Sequence, residues 1–521
     1  MDPPVNEEAL DKALAAIEST RSWSPRVVSK LEHHVRAAPD EQLFRLNPLT
    51  WASERGVDEY EAIDLFLHSA KAGLFEMDWN VICPCCSKVM RSLRELHGLQ
   101  AQNTCPVCFR REQSTLDDYV QVTFTISRAI RAIRFHEPET LSLDEFCFTY
   151  LFEPNAVTAG MGPRDMMRVF TKHLSTFVPG EKLTVETSAE PGALSCVDLV
   201  GQASFGLLAQ GELAPDMQHI EVKLTDSGFD VPLPPIDPSE FQVGSLFYAG
   251  TFYGIRPGPL TIEFEQQSSR QTALAVIYFP IFGITSDIAL PDGGKLPAGF
   301  SASVAPRIEF ASPPLTAKRL FATQTFHDLF RSDTFAESQG FSVKDVTILF
   351  TDLKGSTQLY QREGDLNAYA LVREHYGILN RAVTSQHGAI IKTIGDAIMA
   401  TFNGPADAVA AGLEMLREVP KMNQSAGHGD LILKVGIHRG AAISVTLNDR
   451  LDYFGQTVNI AARVQGTAGG GEMLLTEEIF KADGVSHLLD GSDWTVESDR
   501  VPLRGINEPA TIYRVSAAPS G

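Results

Sequence analysis

The apolar run VTILFT (346–351) ends on Asp352 and is followed by LKGST, whose small residues suit the start of a helix. A strand that delivers a carboxylate at its end can hold a cation, and the free N–H groups of a helix start can receive phosphate oxygens beside it. The plainer role of such an Asp is to cap the helix. A second segment, IIKTIGDAIMATF (390–402), reads as a hairpin with Gly395-Asp396 at its turn. Aspartates at a strand end and at a neighbouring hairpin tip make the palm arrangement of two-metal phosphoryl chemistry. Cations about 3.5–4 Å apart there activate the attacking oxygen and neutralise the leaving one. The competing reading is a Gly-Asp turn with no role. In a third segment, LDYFGQTVNIAARV (451–464), Asn459 and Arg463 are four apart and share a helix face. Such an Asn can orient a ribose, and such an Arg can clamp charge on a phosphate in flight. An exposed polar stripe is the bland alternative.

These residues need a frame. From 341 onward, strand and helix patterns alternate: VTILFT, a long helix, AIIKTIGD, AIMATF, a helix, LILKVGIH and another helix. That order predicts an α/β layer close to the split βαβ, ferredoxin-like plan. Residues 1–80 read as helical, and a cysteine cluster follows within 81–115. Over 116–310 short apolar strands (LTVETSA, VDLVGQASFG, HIEVKLT, LTIEFEQ, TALAVIYF) are punctuated by glycine and proline, which predicts a β-sandwich-like middle domain. VPLPPIDP (231–238) marks a loop within it. Segment 311–340 reads as a linker in which TAKRLFATQTFHDLFRS forms a helix over 316–331, with Leu320, Phe326, Leu329 and Phe330 mostly on one face. The expected whole is multidomain, with its α/β domain at 341–521.

At 521 residues the chain exceeds one ordinary core. A net charge of −21 argues against an extended nucleic-acid groove, since phosphate backbones need a basic surface. It leaves room for a nucleotide site, where a few cations act locally. The opening MDPPVNEEAL has no signal-peptide pattern, and the most apolar stretch, Ala273 to Ile284, is too short for a span and is broken by Pro280. The expected compartment is the cytoplasm.

Taken in order and spacing, FTDLKGST, IKTIGDAIMATF, VGIHRG and DYFGQTVNIAAR resemble the catalytic domain of class III adenylyl and guanylyl cyclases, over roughly 341–516. The resemblance implies that Asp352, Asp396 and the Leu353 backbone hold two Mg²⁺ or Mn²⁺ ions. It implies that Gly355, Ser356 and Thr357 cradle the outer phosphates, with Arg504 as a further phosphate contact. Lys392 and Asp452 match the family's base-reading pair, and Asn459 and Arg463 its ribose-orienting and transition-state residues. Adenine offers an acceptor at N1 and a donor at N6, which a Lys and an Asp complement. Guanine offers the reverse and would leave both groups badly paired. ATP is therefore the expected substrate, cyclic AMP and pyrophosphate the products, and GTP the alternative. A nucleotide-binding signalling adaptor with little activity is the rival of another class, and the joint presence of both Asp residues, the Lys and the Arg ranks it lower. The family shares each site between two subunits, so a head-to-tail homodimer is implied. The arm AAISVTLNDRL (441–451) is a few residues shorter than in better-known members. His438, on a strand, reads as structural.

Cys83-Pro-Cys-Cys86 and Cys105-Pro-Val-Cys108 are two CxxC knuckles eighteen residues apart, the spacing of a zinc ribbon. A structural Zn²⁺ on Cys83, Cys86, Cys105 and Cys108 is expected. Cys85 is a fifth thiol able to exchange with a ligand in a redox switch. LTWASERGVDEYEAIDLFLHSAKAGLFEM looks similar to a winged-helix segment, but its acidic residues speak for a protein-facing adaptor over DNA binding. The whole N-terminal region resembles an uncharacterised module associated with bacterial cyclases. It is expected to act as a regulatory region receiving a protein or small-molecule regulator.

Overall fold

Asn6 and Asp58 start the first and last of the long N-terminal helices by accepting backbone N–H bonds. Asn6 Oδ1 takes one from Ala9 at 3.2 Å, and Asp58 Oδ1 takes two, from Tyr60 and Glu61, at 3.0 Å. In this computed structural model the described residues are 5–109, 111–113, 115–157, 161–236, 250–279, 308–355, 361, 364–426, 431–491, 493–503 and 509–518. Side chains at 112, 166–168, 279, 365, 367, 369 and 425–426 are outside the description.

Helices Glu7–Glu18, Val27–Ala37, Pro48–Arg55 and Glu59–Lys71 bury one face each, with Leu10, Leu31, Trp51 and Phe66 fully inside. Phe66 packs 5.2 Å from Phe75 and 5.3 Å from Phe124. Those partners stand on a three-stranded antiparallel sheet in which Phe75–Ile82 lies between Val89–Leu93 and Val120–Ile126. The expected divisions at 80 and 115 therefore fall inside one sheet. Pairing of Trp79 with Val122 joins segments that the cysteine loops separate in sequence.

Further on, a five-stranded sheet (including Gly192–Asp198, Ser204–Ala209 and Thr272–Phe279) faces a four-stranded one (Lys182–Ala189, Gln218–Thr225, Gly228–Asp230, Gly258–Gln266). Phe205 of the first meets Phe229 of the second at 5.0 Å. VDLVGQASFG is not one strand. Asp198 accepts N–H bonds from Val200 (3.1 Å) and Gly201 (2.7 Å), and this turn splits the run between two antiparallel strands. Residues 237–238 of the proline loop and 280–284 of the apolar stretch lie outside the described residues.

The linker also departs from its expectation. Instead of one helix it holds two, Ala317–Phe321 and Gln324–Leu329, broken where Thr323 turns extended (φ −102°, ψ 119°). Phe321 and Phe326 both pack on Trp79, at 5.7 and 5.8 Å. Five positions along a straight helix point about 140° apart, so the break is what lets both rings reach one indole.

The C-terminal sheet has the order 389–394, 397–402, 340–354, 432–447, 472–476, 510–517, 494–501, with Arg450–Phe454 paired to the far part of Ile432–Leu447. Its first elements run strand, helix, strand, strand, helix, strand. Helices Asp365–Ser385 and Pro405–Ala426 share a core with Leu349, Met473 and Leu475, while helix Gln456–Thr467 packs with Leu474 and Ile512. Alternate strand residues thus separate the helices onto the two faces. No helix among the described residues is long and apolar enough to cross a membrane.

Candidate active site

Strand Gly340–Lys354 pairs antiparallel with Ile432–Leu447, in unbroken register from Val346 onward, with Asp352 opposite Lys434 near its end. Leu353, next along, is buried, and Gly355 turns the chain at φ +78°, where a side chain would be strained. On the other side, Thr347–Phe350 pairs with Met399–Phe402, the second arm of the hairpin that carries Asp396. Gly395 makes that tip possible at φ +64°.

The two carboxylates share a field. Burial raises the Asp352 carboxyl, and the charge of Asp396 raises it further, while Lys434 pulls the other way. Asp396 Oδ2 is buried with no hydrogen-bond partner among the described residues. A buried carboxylate oxygen without a donor, beside a second carboxylate, is costly as it stands and is what a divalent cation satisfies. These residues therefore fit a bound metal pair.

Lys392 lies on the first arm of the hairpin. Its Nζ donates to both oxygens of Asp452, at 2.8 and 2.7 Å. Asp452 is buried on strand Arg450–Phe454 and also accepts from its neighbour's backbone, Tyr453 N, at 2.7 Å. The short arm thus leaves Asp452 within reach of Lys392. Asn459 is exposed and Arg463 half-buried on helix Gln456–Thr467, four residues apart as the spacing requires. Ser356, Thr357 and Arg504 lie outside the described residues.

Several supporting residues were not singled out from sequence. Helix Gln456–Thr467 can sit so close to its strand because residue 436 is glycine: a Cβ there would come within 2.2 Å of the Gln465 backbone. Gly440 allows a similar approach by Thr457, whose hydroxyl reaches Ala441 O at 2.5 Å. The VGIHRG motif contains both glycines, and their spacing was the available signal. Between them His438 is buried and its Nδ1 lies 2.9 Å from Thr476 Oγ1, a structural placement. Tyr376 donates its hydroxyl to Gly395 O at the hairpin tip. Its neighbour His375 is fully buried with neither ring nitrogen bonded among the described residues. Burial pushes it down to about 4, against the opposing charge of Asp396.

The cysteine cluster is a separate centre. Cys83, Cys86, Cys105 and Cys108 bring their sulfurs within 4.8 Å of one another, with Cys83–Cys108 and Cys86–Cys105 at 3.5 Å. A tetrahedral Zn–S₄ site, with bonds of about 2.3 Å, has edges of about 3.8 Å. Both knuckles are built alike: Ser87 N and Phe109 N donate to Cys83 O and Cys105 O at 3.0 and 2.9 Å. Both closing residues adopt positive φ, 59° and 58°. Lys88 is buried near these thiols; burial pulls its amine below the ordinary range, and the charge of Cys105 and Cys86 opposes that. Cys85 is half-buried alongside.

Residues 339–516 match the family model of the adenylate and guanylate cyclase catalytic domain. The C-terminal third of the chain is thus similar to the cyclase catalytic domain. It follows a module, residues 9–244, that matches a family of unknown function, DUF5939. A pH-sensitive adenylate cyclase of Mycobacterium tuberculosis is 33% identical over 172 residues, covering 33% of this chain and 41% of that protein. An adenylate cyclase of Anabaena cylindrica is 29% identical over 196 residues, covering 34% and 38%. The chain thus spans well under half the length of these relatives. Among solved structures, the adenylyl cyclase CyaB from P. aeruginosa is similar over 34% of this chain and 97% of that one, at 21% identity and a TM-score of 0.31.

Proposed function

We propose that the chain is an adenylate cyclase, converting ATP to 3′,5′-cyclic AMP and pyrophosphate at sites shared between two copies. The observation that carries the choice of ATP is the Lys392–Asp452 pair, a donor and an acceptor held together at 2.7 and 2.8 Å. On the edge of adenine the Lys would donate to N1 and the Asp accept from N6. With guanine both would meet groups of their own kind. Asp352 and Asp396, with the Leu353 carbonyl, would hold two Mg²⁺ or Mn²⁺ ions. When bound, the ions lower the pKa of the ribose 3′-OH and neutralise charge on the departing pyrophosphate. Asn459 would orient the ribose for in-line attack. The 3′-oxygen bonds to the α-phosphorus as the bond to the bridging oxygen breaks, pyrophosphate takes the electron pair, and the hydroxyl proton passes to water. Arg463 and Arg504 would stand against the charge that grows on the phosphoryl oxygens, and Gly355, Ser356 and Thr357 against the outer phosphates.

The head-to-tail homodimer is supported by apolar side chains left in water beside the site residues: Ile394 (51% exposed), Phe454 (47%), Ile443 (46%) and Leu447 (45%). Ile443 and Phe454 are cross-strand partners, so they form one patch next to Asp452. A second copy covering it would bring its Asn459 and Arg463 to the first copy's carboxylates. The four cysteines we assign to a structural Zn²⁺. The N-terminal region would regulate the enzyme through contacts such as Tyr60, stacked on His387 of the cyclase domain at 3.5 Å, and Arg319 Nη2 on Glu59 at 2.6 Å. The composite site is tested by mixing Asp396→Ala with Arg463→Ala. Each alone should be inactive, and random pairing restores one intact site in half the dimers, about a quarter of parental activity. No recovery on mixing would refute the shared site.

A further inference from the structure

Strand Ala389–Ile394, which bears Lys392, is the edge of its sheet among the described residues, so its outward backbone groups have no strand partner there. Its inner pairing is irregular. Ile390 faces Ala400 and Lys392 faces Met399, so Ile391 is an extra residue that bends the strand just before Lys392. A bulge re-aims the side chain that follows it, and this one points Lys392 at Asp452.

The outer side of that bulge is held by the linker. Gln324 Oε1 accepts the Ile390 N–H at 2.8 Å, and Gln324 Nε2 donates to Asp328 Oδ1, one helical turn on, at 3.0 Å. A backbone N–H can only donate, so the amide oxygen must face Ile390 and its NH₂ must face Asp328. The same linker helix and the strands of both base-pair residues border an open pocket of about 160 Å³, lined by Gln324, Phe330, Ile390, Ile391, Arg450 and Leu451. The linker is anchored in turn on the N-terminal module. Phe326 packs on Trp79, Asp333 Oδ2 accepts from Trp79 Nε1 at 3.2 Å, and Asp333 Oδ1 accepts from Leu96 N at 2.7 Å.

We infer that Gln324 is a positioning residue for base recognition. It acts through the Ile390 bulge to aim Lys392, so the N-terminal module sets nucleotide affinity and ATP-over-GTP preference through this one hydrogen bond. The inference rests on the reading of Lys392 as a base-recognition residue, and the experiment separates the two.

In the full-length chain, Gln324→Met keeps length and helix propensity and removes the acceptor. The expected result is a rise in KM for ATP of about fivefold, the factor of one neutral hydrogen bond, with kcat little changed and the ATP/GTP ratio of kcat/KM reduced. Amide exchange at Ile390 should accelerate in the same variant. The double variant Gln324→Glu with Asp328→Asn retains an acceptor for Ile390 and a donor for residue 324, and should return KM and the ratio to parental values. Lys392→Met is measured in parallel. If it lowers discrimination while Gln324→Met leaves KM, the ratio and Ile390 exchange unchanged, the positioning role is wrong and base reading stands. If Lys392→Met leaves the ratio unchanged, base reading fails and the role of Gln324 fails with it.

Discussion

Replacing Asp396 by Asn should stabilise the metal-free protein while abolishing turnover. In the parent, Asp396 Oδ2 is buried without a donor among the described residues, and Asp352 is pushed up first by burial and then by Asp396. An unpaired buried polar group costs about 1–3 kcal/mol, and the neighbouring like charge adds to that in the same direction. Asparagine keeps the shape, removes the charge and offers an N–H to Asp352. A gain of about 1–2 kcal/mol is expected, which for a domain of this size is about 2–8 °C in Tm. The assay is thermal unfolding of the cyclase domain within the full chain at pH 7.5, without and with Mn²⁺. Saturation to a hundred times Kd stabilises a metal-binding protein by about 2.7 kcal/mol, so Mn²⁺ should raise the parent past the variant and leave the variant unmoved. The sign of the pH effect follows. Asp352 has a folded pKa above its unfolded value, so its cost is fully present above the raised pKa and is relieved as pH falls through it. The advantage of Asp396→Asn should therefore shrink on acidification. A variant that melts below the metal-free parent, or that gains as much from Mn²⁺ as the parent does, would show, respectively, that Asp396 is not strained by its burial or is not a metal ligand.

Gly436→Ala should destabilise the cyclase domain by about 1–3 kcal/mol and reduce activity, because its Cβ would meet the Gln465 backbone at 2.2 Å; chemical denaturation with an activity assay reads both. Gly466→Ala, where a Cβ meets nothing within 4 Å, is the control and should not destabilise. Removing metal from the cysteine cluster, or Cys105→Ser, should cost the N-terminal module its cooperative unfolding, and metal analysis should find about one zinc per parental chain. His34 is buried, and burial followed by the nearby Arg55 holds it down at about 4, below its ordinary 6.5. It stays neutral in the fold, so the parent should lose stability between pH 6.5 and about 4 relative to His34→Gln in urea titrations.

What could be read from sequence was local. Asp352, Gly395-Asp396 and the Asn459/Arg463 spacing announce themselves because each is punctuation at the end of an apolar strand or on a regular helix. The paired CxxC knuckles are legible for the same reason. Strand pairing over long separations was not legible. Nothing local tells that Phe75–Ile82 pairs with Val120–Ile126 around the cysteine loops, so divisions at 80 and 115 cut a sheet. The linker's break at Thr323 was hidden because its apolar residues satisfy a continuous helical stripe. Only Trp79, more than two hundred residues earlier, requires Phe321 and Phe326 to converge. Gln324 and Tyr376 went unseen because each acts on a backbone group of another element, Ile390 N and Gly395 O, and backbone partners leave no mark in the sequence.

The most direct test of the account is product formation by the purified full-length chain, with ATP and GTP offered separately and in competition, under Mg²⁺ and under Mn²⁺. Cyclic AMP from ATP with little cyclic GMP from GTP is the expected result. Cyclic GMP as the main product would contradict the Lys392–Asp452 assignment, and no cyclic product from either nucleotide with either metal would contradict the enzyme.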